Sequence, residues 1–211
     1  MVEVKLNKTS NETLRSKFKK VHNVGINDLE EQVYVDSKPI KSYEIWVGML
    51  RRCYDEKYIL KQPTYKGCSV TPDWLYFSNF KKWFDDNYNP EIMSDWQLDK
   101  DLLIRGNKAY SPHNCCFVPQ DLNLLFIKSK RIRGKLPIGV YFDKQNKSYK
   151  AYIRKYNKLI HIGYYDTIEE AFIAYKTEKE KHIKEVADKY KEVIDIRLYN
   201  VMYNYEVKLE D

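Results

Sequence analysis

Long apolar runs are missing from this sequence. No stretch of about 18 consecutive apolar residues occurs, so no membrane-crossing helix is expected. The first residues, Met1-Val2-Glu3-Val4-Lys5-Leu6-Asn7-Lys8, carry no apolar segment of the kind that marks a secretory signal, and export is not expected either. Glycine and proline are scarce at seven each in 211 residues, too few for a fibrous or low-complexity chain. Cysteine is scarcer still. Cys53, Cys68, Cys115 and Cys116 include one adjacent pair and no paired Cys-x-x-Cys, which suits neither a disulfide framework nor a zinc knuckle. These gaps predict a soluble chain in a reducing, cytoplasmic compartment.

What is present is apolar residue at 43%, enough to bury a core, and charge at 32%. The length suits one large or two small domains. Lys and Arg number 37 against 30 Asp and Glu, a formal +7 with a pI near 9.0, which points to a polyanionic partner and says nothing of fold. The charge is concentrated. From Lys128 to His161 eleven Lys or Arg stand against one acid, Asp143, a net of +10, so the rest of the chain is slightly acidic. Nineteen tyrosines, each an amphipathic contact residue, suit a binding surface.

Along the chain, residues 1–40 are polar and irregular, with a turn at Gly25–Asp28 and an alternating Val33-Tyr34-Val35. They read as an N-terminal arm with one or two short strands. Ile45, Trp46, Met49, Leu50 and Cys53 then recur at helical spacing, with Arg51 and Arg52 off that stripe. Pro63 to Val70 reads as a turn leading into a short strand. Pro72-Asp73 opens a helix whose core stripe is Trp74, Phe77, Phe80, Trp83 and Phe84. Residues 96–127 read as a strand, a Gly-Asn turn, a proline-bounded loop, a second short strand and a short helix. A basic linker, Lys128 to Lys135, is closed by Pro137. Beyond it come alternating strands at Gly139–Asp143, Ser148–Lys155 and Leu159–Tyr165. Asp166-Thr167 then caps a helix carrying Glu169 and Glu170 in its first turn. The tail from Lys191 alternates weakly and is net acidic.

The run Leu98-Asp99-Lys100-Asp101 with Gly106-Asn107, then Tyr110-Ser111-Pro112-His113-Asn114-Cys115 and Asn123, resembles the HNH (ββα-metal) nuclease motif. Upstream, Trp46…Met49-Leu50…Arg52-Cys53-Tyr54, Tyr65-Lys66-Gly67 and Trp74…Phe77…Phe80 resemble the preamble found in phage-encoded and homing-type members of that group. The likeness spans residues 43–127. It implies that Asp99 and Asn123 ligate a divalent cation, Mg²⁺ or Mn²⁺, and that Asn114 fixes the hairpin loop. A hard cation held by oxygen ligands would polarise the scissile phosphate and stabilise the leaving 3′ oxygen. One position departs from the pattern: Lys100 stands where the water-activating His is usual. A lysine acts as a base only after losing its proton, which needs desolvation or neighbouring positive charge. Asp101 and His113 are the other nearby groups able to take a proton.

A second resemblance covers about 50 residues and is to the apetala/ethylene-response-factor type of DNA-binding domain. Its residues are Ile138-Gly139-Val140-Tyr141, Tyr149 to Arg154, Ile162 to Thr167, and Glu169-Glu170-Ala171 with Ala174-Tyr175. Alternation turns Ala151 and Ile153 to one face and Lys150, Tyr152 and Arg154 to the other. The outward set is expected to include Tyr141, Lys144, Lys147, Tyr156, Lys158 and His161, a surface for duplex DNA.

The chain is therefore expected to be α+β, with an arm over 1–40, an HNH-like module over 41–127 and a basic linker over 128–136. A three-stranded antiparallel sheet packed on one helix follows over 137–190, then a tail over 191–211. The function implied is a metal-dependent endonuclease on double-stranded DNA in a bacterial or phage-infected cell, with no small-molecule cofactor. Its catalytic residues are expected to be Asp99, Lys100, Asn114 and Asn123. DNA contacts are expected from Arg131, Arg133, Tyr141, Lys144, Lys147, Lys150, Tyr152, Arg154, Tyr156 and Lys158. The alternative, motivated by Lys100, is a DNA-binding regulator on a nuclease fold without catalysis.

Overall fold

A computed structural model describes residues 20–126 and 136–209. The fold is mixed α+β with small sheets, and the chain divides into two compact units, Met1–Phe117 and Val118–Asp211. Among the described residues no helix is long and apolar enough to cross a membrane.

In the first unit, α1 (Lys41–Tyr54) buries Tyr43, Trp46, Met49, Leu50 and Cys53 along one stripe. The indole of Trp46 donates to the carbonyl of Trp74 at 2.7 Å, so the buried ring leaves no polar atom unmatched. Asp55 ends α1 and begins α2 (Glu56–Lys61), its carboxylate accepting from Tyr58 N. A short hairpin, β1 (Tyr34–Val35) with β2 (Lys38–Pro39), precedes these helices, and β3 (Ser69–Val70) follows them.

The helix expected to open at Pro72 is broken in two. A 3-10 turn covers Pro72–Leu75, Tyr76 is extended, and α3 runs over Phe77–Asn87. The break has a long-range cause. Ile26 bridges to Tyr76, taking the Leu75 carbonyl and the Phe77 N–H at 2.8 and 2.9 Å. The carboxylate of Asp28 then accepts from Ser78 N and Ser78 Oγ, serving the first turn of α3 from a distant segment. Trp46, Trp74, Phe77 and Phe80 are fully buried together. The strand β4 (Gln97–Asp99) pairs with β6 (Cys116–Val118), in which the unit boundary falls. Between them in sequence, β5 (Ala109–Tyr110) pairs parallel with β3 instead.

In the second unit, α4 (Gln120–Leu124) buries Leu122, and Asp121 accepts a hydrogen bond from Tyr190 Oη at 2.6 Å. Strands β7 (Val140–Asp143), β8 (Ser148–Lys155) and β9 (Lys158–Tyr165) form the antiparallel sheet in chain order. Its core face holds Val140, Ala151 and Ile153 against Ala171, Phe172 and Tyr175 of α5 (Ile168–Tyr190). A capping box starts α5: Thr167 Oγ1 accepts from Glu170 N, and the Glu170 carboxylate accepts from Thr167 N. Thr167→Ala is expected to destabilise this unit by about 1 kcal/mol, read as a lowered urea midpoint with unchanged slope. The tail forms α6 (Ile196–Tyr203), which buries Leu198 and Met202, and Val207 then enters the sheet core. Lys176 and Glu180 hold that last segment, bonding the Val207 carbonyl and N–H at 3.0 and 2.8 Å.

Candidate active site and nucleic-acid surface

Asp99 ends β4, and its side chain folds the chain back at once. Oδ1 accepts from both Asp101 N and Leu102 N at 2.8 Å, an Asx turn that needs a short carboxylate or amide at this position. The loop that follows is tied down by two asparagines. Asn107 Nδ2 donates to the carbonyls of Lys100 and Ala109 at 2.6 and 2.7 Å, and its Oδ1 accepts from Asn114 Nδ2 at 3.3 Å. Gly106, at φ 81°, supplies the left-handed residue that the turn needs. Asn114 thus bonds the loop from its far side. Asn107 is a partner that the sequence reading used only as turn chemistry.

Burial and the neighbouring Asp101 carboxylate push the Asp99 carboxyl above its ordinary range, against two N–H groups and Lys100 that pull it down. Lys100 turns inward and is 7% exposed, with Nζ 3.1 Å from Asp101 Oδ2. Burial pulls its ammonium down, yet the charge and hydrogen bond of Asp101 outweigh it and hold the group above its ordinary range. The Asp101 carboxylate therefore favours the charged form of Lys100. His113 lies exposed on the loop between β5 and β6. Asn123 lies on α4 in the second unit, where its N–H bonds the Pro119 carbonyl at 3.0 Å.

The sequence reading missed the second cation of this region. Arg52 Nε donates to Tyr110 Oη at 3.0 Å. Its guanidinium carbon lies 5.9 and 5.5 Å from the ring centroids of Tyr65 and Tyr110. Lys100 Nζ approaches the same two rings at 5.9 and 5.7 Å. The two contacting residues, Arg52 and Tyr110, are 58 positions apart, and Arg52 lies off the apolar stripe of its helix. Nothing local announces such a pairing.

Among the described residues no group of three or more His, Cys, Asp or Glu side chains could hold a metal ion. The donors that the resemblance assigns, a carboxylate and an amide oxygen, are hard and suit Mg²⁺, which commonly takes one or two carboxylates and completes its shell with water and substrate phosphate. The raised Asp99 carboxyl, crowded by Asp101, is a group that a nearby cation would relieve.

Comparison of the chain with protein-family models, curated proteins and solved structures returned no match.

On the sheet of the second unit, cross-strand register fixes which side chains share a face. Tyr141, Lys150 and Tyr164 lie opposite one another, and an irregularity between Ala151 and Tyr152 sets Tyr152 opposite His161. Rings make a chain across all three strands: Tyr141 to Tyr152 at 5.6 Å, Tyr152 to His161 at 4.9 Å, His161 to Tyr164 at 4.8 Å. Lys144 and Lys147 are exposed in the β7–β8 turn, and exposed Arg154 donates to the Asn157 carbonyl at 3.3 Å. Lys150 pairs with Asp143 at 2.9 Å, which holds the Asp143 carboxyl down at about 2. The only acid of the basic segment therefore sits beside its central lysine.

Two expected contacts turn the other way. The Tyr156 ring packs edge-on at 5.0 Å against His182 of α5, so it belongs to the helix side of the sheet. Lys158 is opposite Lys155, whose ammonium reaches Glu178 of α5 at 3.0 Å, so it too belongs to that face. At Tyr156 the tight β8–β9 turn, with Tyr156 and Asn157 at positive φ, reverses the simple alternation, whereas Lys158 follows it, three positions from outward-facing His161. Arg131 and Arg133 lie outside the described residues.

Proposed function

We propose that the chain is a metal-dependent DNA endonuclease of the HNH type, anchored on duplex DNA by the outer face of its three-stranded sheet. The observation that carries this reading is the fixed loop after β4. Asn107 and Asn114 clamp the segment that presents Asp99, while Lys100 is buried beside it and paired with Asp101. A site that must hold a metal ligand in register against a phosphate needs such a support.

Asp99 would hold Mg²⁺, with water and substrate phosphate completing its shell. The cation would supply charge at the scissile phosphate and the leaving 3′ oxygen. Two backbone N–H groups fix Oδ1 of Asp99, which would hold the carboxylate in place for such a cation. Lys100, charged and held by Asp101, is suited to stabilise negative charge on the phosphate and not to take a proton. We assign the proton of the attacking water to His113, since imidazole is the side chain most used for this task. On the sheet, Lys144, Lys147 and Arg154 would meet phosphates around the ring chain of Tyr141, Tyr152, His161 and Tyr164.

The ion pair of Lys100 with Asp101, at the position where the resemblance expects a His, also favours the second reading, a DNA-binding protein without catalysis. Incubation with supercoiled plasmid decides between them. Open-circle product that requires Mg²⁺ or Mn²⁺ and vanishes with EDTA is expected. Retarded plasmid with no open circle at any metal concentration would establish the non-catalytic reading.

A further inference from the structure

Arg52 has no acidic partner among the described residues. Its one hydrogen bond, from Nε, goes to the neutral phenol of Tyr110, although a guanidinium carries five N–H donors. Lys100, by contrast, is matched by Asp101. A positive charge that is largely taken out of water without a counter-ion is unfavourable, and proteins keep such groups where an anion completes them. The planar fork of arginine fits phosphate oxygens in pairs.

The surroundings fit an anion that arrives from one side. Arg52 and Lys100 converge on the same two rings, Tyr65 and Tyr110, each within 6 Å of both centroids. From Tyr65 the cluster continues outward. Tyr58 lies 5.9 Å from Tyr65, and exposed Arg51 stands 4.7 Å over Tyr58. A path of rings flanked by cations, Arg51, Tyr58, Tyr65, then Arg52 and Lys100, therefore leads from the surface to the loop that holds Asp99. Bases can stack on such rings while the cations follow the backbone.

We propose that Arg52, with Lys100 beside it, forms a phosphate-binding site, and that the phosphate it receives is that of the strand to be cut. The site stands on Arg52, Lys100 and their rings; the identity of the phosphate rests on the nuclease reading.

Thermal unfolding of the full chain against sodium pyrophosphate at low salt tests it. The melting temperature is expected to rise with pyrophosphate in the wild type and in Lys82→Gln, a control at an exposed position of α3. In Arg52→Gln the rise is expected to vanish. Arg52→Lys, which keeps the charge and most of the stem, is expected to retain a smaller rise, and it serves alone if Arg52→Gln fails to fold. In the nicking assay Arg52→Gln is expected to lose on the order of 10²-fold in kcat/KM. Arg52 variants that match the wild type in both assays, or a wild type that gains nothing from pyrophosphate, overturn the site. A wild type that never nicks, yet shows the Arg52-dependent rise, overturns the nuclease reading and leaves the site standing.

Discussion

Asp99→Asn is expected to abolish the proposed metal-dependent nicking while leaving the fold and any plasmid retardation as they are in the wild type. The choice of asparagine matters. Asp99 does two things: Oδ1 accepts from Asp101 N and Leu102 N, and the carboxylate carries the charge proposed to hold the metal. An amide oxygen can still accept those two bonds, so the Asx turn survives and only the charge is lost. Asp99→Ala removes both and is expected to loosen the loop by about 1 kcal/mol besides. The two variants should therefore nick equally poorly, down by on the order of 10³-fold or more, while differing in stability. Circular dichroism, urea midpoints and nicking rates, measured side by side, check all three statements. An Asp99→Asn protein that nicks at the wild-type rate would remove Asp99 from the metal site.

Gly139→Ala is expected to unfold the second unit at temperatures where the wild type is native. Gly139 stands at φ 79°, a backbone conformation that alanine adopts only with strain. A Cβ there would meet three ring carbons of Tyr175 at 2.1, 2.4 and 2.5 Å. Tyr175 cannot swing aside freely, because it is 5% exposed and packed among Val140, Ala151, Ala171 and Val207. The Gly139 carbonyl also accepts from Tyr152 N at 2.9 Å, so backbone movement would disturb the start of the sheet. Strain and overpacking together are expected to destabilise by about 3 kcal/mol. Gly67→Ala is the control: φ is similar at 78°, but no atom lies within 4 Å of the added Cβ. Only the backbone part, about 1 kcal/mol, is expected there. Comparing the two by calorimetry isolates the collision with Tyr175. Equal losses would mean that the ring moves away at little cost.

Local pattern reached further in one half than in the other. The bounds of β8 are those that alternation indicates, and Thr167 begins the helix that its chemistry announces. Both depend on neighbours in sequence, which is what periodicity and capping rules describe. The break at Tyr76 was not legible because Ile26, fifty residues earlier, makes it. The helix of the tail was read as weak alternation, since only Leu198 and Met202 mark its buried face. At the site, the Asp99 turn and the Asn114 clamp act within a short loop, and the resemblance had implied that Asn114 fixes it. The approach of Arg52 to Tyr110 could not, because it depends on how α1 lies against β5. The inward turn of Lys100 has the same origin: its surroundings are set by Tyr65 and Tyr110 as much as by adjacent Asp101.

Cys53, Cys68, Cys115 and Cys116 are all buried and all belong to the first unit. Burial pushes the thiols of Cys53 and Cys115 up to about 12, so they hold almost no thiolate near neutrality. A disulfide reagent such as a chromogenic aryl disulfide therefore reacts at the pace at which this unit opens, and the second unit contributes no signal. The unmodified protein carries its own stopwatch for one of its two halves, with no label to engineer and no side chain to replace.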